Sequence, residues 1–66
     1  MARVITAVYD SKDKIRNTMD DLVSTGIPRE EIQVDEEKSQ IKVIAANVSV
    51  PEIHEILQRH QPRSLD

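Results

Sequence analysis

The chain contains no cysteine, no phenylalanine and no tryptophan, with one tyrosine, Tyr9, and one glycine, Gly26. Without cysteine, neither a disulfide nor a thiolate-bound metal can brace the fold. Without large aromatics, the core must be built from Ile, Val and Leu. No apolar run approaches the length that spans a membrane. No small-residue cleavage site closes the apolar stretch from Val4 to Tyr9, so a signal peptide is not expected and the cytoplasm is the default location. What is present is the composition of a globular domain, 38% hydrophobic and 32% charged, which argues against disorder. At 66 residues this is one domain. A chain of that length hides only about 60% of the surface its unfolded form exposes. Stability of roughly 3–10 kcal/mol follows, so a partner subunit is one way to supplement the core.

The net charge of −3 is unevenly spread. Seven acids (Asp20, Asp21, Glu30, Glu31, Asp35, Glu36, Glu37) and a single base, Arg29, lie between positions 20 and 37. Earlier in the chain Arg3, Lys12, Lys14 and Arg16 outnumber Asp10 and Asp13. An acidic end follows, read as a solubilising surface or as a docking face for a basic partner.

The first strand is set by the β-branched run from Arg3 to Tyr9. Asp10 or Ser11 then caps a helix, with Asp13 in its favoured first turn. Ile15, Met19, Leu22 and Val23 form one helical stripe. Gly26 stands where a left-handed terminal residue is needed, Ile27 can fold back on the last turn, and Pro28 prevents continuation. Ile32 and Val34 alternate with Gln33 and Asp35, which predicts a second strand. The polar segment from Glu36 to Ser39 serves as a hairpin turn, and Ile41, Val43 and Ala45 mark a third strand. Ser49-Val50-Pro51-Glu52 has the form of a capping box with an early proline. Ile53, Ile56 and Leu57 give the second helix its apolar stripe, His60 closes it, and Pro62 ends it.

The order β-α-β-β-α predicts an α+β fold: a two-layer sandwich in which a three-stranded mixed sheet carries two helices on one face. It is ferredoxin-like but lacks the last strand. The expected single domain spans residues 1–62, and residues 63–66 form a frayed tail. A right-handed crossover suggests strand 1 parallel beside strand 3, in the order 1-3-2, with pairing of strands 1 and 2 as the open alternative. Strand 1 is then an edge with unpaired backbone groups. Two helices cover one face only, and strand 1 is apolar on both. The uncovered face is therefore expected to associate with a second copy through Ile5, Ala7, Tyr9, Ile44 and Ala46, the null being a monomer with scattered exposed aliphatics.

Residues suited to catalysis are few. His54 and His60, six apart, sit on different helix faces. His54-Glu55 opens like a zinc-protease motif, but the second ligand position is Gln58. The acidic doublets point apart and lack calcium-loop spacing. No Ser or Cys nucleophile motif is present, and a tautomerase's terminal proline is replaced by Ala2. The strand-to-helix turn Asp10-Ser11-Lys12 reads as an ordinary cap rather than a phosphate site, and an acidic chain whose sheet has one Tyr fits nucleic acid poorly. No catalytic, cofactor or metal residues are assigned, and no cofactor is expected.

The run Val4-Ile5-Thr6-Ala7-Val8-Tyr9-Asp10, an amphipathic helix, and then Gly26-Ile27-Pro28-Arg29-Glu30-Glu31-Ile32-Gln33-Val34 resembles the start of small bacterial general-stress-protein domains. It spans about half the chain, and no glycine-rich or membrane-spanning continuation follows the third strand. The resemblance implies a bacterial α/β module without a defined molecular role, related to stress proteins, and carries over no catalytic residues. The leading expectation is a non-enzymatic protein-interaction or regulatory module that forms a homodimer. A sensor binding a metabolite at a subunit interface is the alternative, and a small enzyme comes third.

Overall fold

The structure, a computed structural model, describes residues 2–66. The elements run β1 (Ala2–Val8), α1 (Lys12–Thr25), β2 (Ile32–Asp35), β3 (Gln40–Ala46), α2 (Val50–Arg59) and β4 (Ser64–Leu65), with short 3-10 turns at Arg29–Glu31 and Asn47–Ser49. The strands form one sheet in the order β2-β3-β1-β4, and every pairing is antiparallel. Strands β1 and β2 both oppose β3 and so run parallel to each other on either side of it. This is the split β-α-β arrangement of ferredoxin-like folds.

Three expectations are corrected here. The sheet has four antiparallel strands rather than three mixed ones. Strand β1 does lie beside β3, but the two are antiparallel, because the short hairpin makes β3 oppose β2 and the helical crossover leaves β2 parallel to β1. The segment expected to fray is instead an edge strand. Ser64 pairs with Val8 and Leu65 with Ala7, and the N–H groups of Arg63 and Asp66 donate to the carbonyls of Val8 (2.6 Å) and Thr6 (2.8 Å). The domain therefore extends past position 62 (position 1 lies outside the described residues), and the free edges are β2 and β4, not β1.

Helix α1 forms as its sequence dictates. The Ser11 side chain accepts from the Lys14 N–H at 3.2 Å, while Asp10 instead pairs with the Lys14 ammonium at 3.2 Å. Ile15, Thr18 and Leu22 are buried, and Met19 and Val23 pack at the core's margin. At the far end Gly26 has φ 114°, and the Ile27 N–H donates to the Leu22 carbonyl at 3.1 Å, closing the last turn. A Cβ at Gly26 would meet nothing within 4 Å. Gly26→Ala is therefore a test of backbone conformation alone. It is expected to lower stability by about 1–2 kcal/mol, read as the shift of the urea midpoint, and an unchanged or higher midpoint would contradict the left-handed cap.

Helix α2 begins differently from expectation. A 3-10 turn leads into it, Ser49 already has helical φ and ψ, and its side chain makes no capping bond. The capping box is therefore not formed, because a capping residue needs an extended backbone to turn its oxygen onto the helix N–H groups. Ile53, Ile56 and Leu57 are buried as the stripe requires.

The core lies between the helices and one sheet face. Registered partners in a sheet point to the same side, so the pairs Ile5↔Val43, Ala7↔Ile41, Ile32↔Val43 and Val34↔Ile41 collect on the helix side. Ile5, Ala7, Tyr9, Ile41, Val43 and Ala45 are all at most 3% exposed.

Candidate functional site

The same parity defines the uncovered face. The pairs Ala2↔Ala46, Val4↔Ile44, Thr6↔Lys42 and Val8↔Gln40 point away from the helices, together with Gln33 and Asp35 of β2. Of the residues expected on the association surface, Ile44 and Ala46 are exposed on this face. Ile5, Ala7 and Tyr9 are not: they are core residues. The sequence could not set the parity of β1, because both its faces are apolar. Its register against β3 does, and it places Val4 rather than Ile5 outward. Val4 is 59% exposed and Ile44 37%, and as registered neighbours they form one apolar patch flanked by Ala2 and Ala46. The other half of the face is polar and carries one base, Lys42, and one acid, Asp35, with a second acid, Asp66, at its β4 margin, where the Asp66 N–H donates to the Thr6 carbonyl.

Tyr9 has a different role from the one expected. It is 1% exposed, and its hydroxyl donates to the Leu57 carbonyl of α2 at 2.7 Å. Burial pushes its pKa up from 10.0, with the neighbouring Thr18 hydroxyl pulling weakly the other way. Thr18, missed by a search for apolar stripes, is fully buried and discharges its own hydroxyl onto the Lys14 carbonyl at 2.6 Å. Among the described residues no buried side-chain polar atom lacks a partner.

Titratable groups converge at one further place. Asp21 Oδ2 on α1 lies 3.2 Å from Arg59 Nη1 and 2.9 Å from His60 Nε2 at the end of α2. The cluster clasps the two helices across 38 and 39 residues of sequence. Its members are partly exposed, and such ion pairs contribute about 0–1 kcal/mol each. His54 lies outside the cluster. Among the described residues no three His, Asp or Glu side chains are grouped to hold a metal ion.

Two concavities flank β2. The larger, about 610 Å³, is an open basin where the β2–β3 hairpin curls, lined by Gln33, Val34, Asp35, Glu36, Glu37 and Lys42. Asp35 there accepts from the Lys38 N–H at 3.2 Å, the ordinary work of a turn aspartate. The smaller, about 330 Å³, is a groove between α1 and β2. Its walls are Ile15, Met19, Ile32 and Val34, and Lys12, Arg16 and Glu36 stand on its rim. No helix among the described residues is long and apolar enough to cross a membrane. No protein-family model, curated protein or solved structure matches this chain.

Proposed function

We propose that this chain is a non-catalytic interaction module that self-associates through its uncovered sheet face. The observation that carries the reading is the exposed Val4–Ile44 pair on a face that no element of the fold covers. Charge complementarity supports a second copy as occupant: the face carries both Lys42 and Asp35, so in a two-fold contact Lys42 of each copy is offered Asp35 of the other. The magnitudes favour a weak dimer. Strands of seven, seven, four and two residues, at about 3.3 Å per residue and about 4.8 Å apart, give a face of roughly 320 Å² before corrugation. A standard interface takes about 800 Å² from each partner. Completing the burial of four half-exposed aliphatic side chains contributes roughly 4–6 kcal/mol, comparable to the lower bound of about 4 kcal/mol for lost translational and rotational freedom. Association is thus concentration-dependent and reversible, as suits a regulatory contact. A cytoplasmic location and a role in stress response rest on the sequence reading alone.

Ile44→Lys tests this. The substitution sits on the open face, so stability should change by no more than about 1 kcal/mol. Concentration-dependent amide shifts at Val4, Thr6, Lys42 and Ile44 are expected in the wild type and should vanish in the variant. Their absence in the wild type, or their persistence in Ile44→Lys, contradicts the reading.

A further inference from the structure

The geometry points to a second, separate docking site: the β2 edge and the groove beside it receive an extended acidic peptide segment that adds a strand to the sheet. The first support is topological. Strand β2 ends the sheet, so by register Val34 turns both its N–H and C=O outward and Ile32 its C=O, the Ile32 N–H being taken by the Arg29 carbonyl. The second is the groove itself. A strand laid along that edge would send alternate side chains toward α1, onto Ile15, Met19, Ile32 and Val34. Backbone pairing along an edge combined with side-chain pockets beside it is an established mode of peptide recognition.

The third support is charge. Lys12 and Arg16, one helical turn apart on α1, stand over this groove. Neither takes part in an ion pair among the described residues, whereas Lys14 between them is paired with Asp10. On a chain of net charge −3, the groove rim carries two bases against one acid, Glu36. The occupant that fits is a segment with an aliphatic residue seated in the groove and, two positions along, a carboxylate side chain facing Lys12 and Arg16. The site lies on the helix side of β2, away from Val4 and Ile44, so it stands or falls independently of self-association.

The probe is an array of capped hexapeptides in which an aliphatic residue is followed two positions on by Glu, with Lys in the control array. The best Glu binder is then titrated into the isotope-labelled chain. Expected are shifts at the Ile32–Asp35 amides and the Ile15 and Met19 side chains, and binding at least about tenfold tighter than for the Lys control, the size of one well-placed charge pair. Arg16→Glu, at an exposed helix position, should reverse the preference while leaving the thermal melt in place. Ile44→Lys should bind the peptide as the wild type does. The inference is overturned if no Glu peptide outbinds its Lys control, or if Arg16→Glu leaves the preference unchanged. It is also overturned if the shifts fall on the open face, or if β2 amides shift with protein concentration alone, which would put a second copy on the edge.

Discussion

Leu22→Ala is expected to lower stability by about 2–5 kcal/mol, the cost of removing a buried leucine side chain and leaving a cavity. Leu22 is 0% exposed and sits on the α1 stripe between Ile15 and the Gly26 cap, packed into a core that also takes in Ile53, Ile56 and Leu57 of α2. Neighbours can collapse into the space only partly, since Thr18 one turn back is held by its bond to Lys14. A domain of this size has roughly 3–10 kcal/mol in all, so the substitution removes a large share of its stability. With an m-value of about 1 kcal/mol/M in urea for a small protein, the midpoint should fall by about 2 M or more. A variant whose midpoint moves by only a few tenths molar would show that α1 presents another face to the sheet.

Tyr9→Phe is expected to cost about 1–2 kcal/mol at neutral pH. It removes one of the two bonds accepted by the Leu57 carbonyl, which keeps a second, longer one from the His60 N–H at 3.3 Å, so the loss sits below that of a fully orphaned acceptor. The same residue gives a pH signature. Burial holds the folded-state pKa of Tyr9 above the 10.0 of an exposed tyrosine. Below pH 10 the phenol is protonated in both states, and its contribution to stability is complete. As pH rises from 10 through the folded-state value, the unfolded chain releases the proton first and stability falls. The wild type should therefore lose stability over that window more steeply than Tyr9→Phe, and the advantage of the wild type should shrink. Tyr9 is the only tyrosine, so the tyrosinate absorbance of the folded chain reads this residue alone. Titration at the ordinary value would contradict the buried placement.

How much of this was legible in the sequence depends on whether a residue's role is local. Helix α1 was legible apart from buried Thr18 and the choice of Ser11 over Asp10 as cap, because the stripe through Leu22 and the Gly26 turn lie within consecutive residues. The β2–β3 hairpin was legible because Ile32, Val34, Ile41 and Val43 fall at every second position on either side of a polar turn, although Ile44 also stands on the open side. Strand β1 was not, because Val4, Thr6 and Val8 are nearly as apolar as Ile5, Ala7 and Tyr9. Alternation then has no sign, and only pairing with β3 supplies one. Strand β4 is two residues long, too short for any periodicity, and is held by backbone bonds that no side-chain pattern encodes. Tyr9 was placed on the uncovered face by its alternation with Ile5 and Ala7. Its partner is a carbonyl 48 positions away. The groove beside β2 likewise exists only once α1 and β2, separated by the Gly26 turn, lie side by side.

Sedimentation equilibrium of the wild type, from low micromolar to millimolar concentration at moderate salt, decides whether the open face, with Val4 and Ile44 at its apolar half, seats a second copy of the chain. The weight-average mass should rise from the 7.5 kDa monomer toward twice that value and stay at the monomer value throughout for Ile44→Lys. A wild-type mass that remains at the monomer value up to millimolar concentration would contradict self-association.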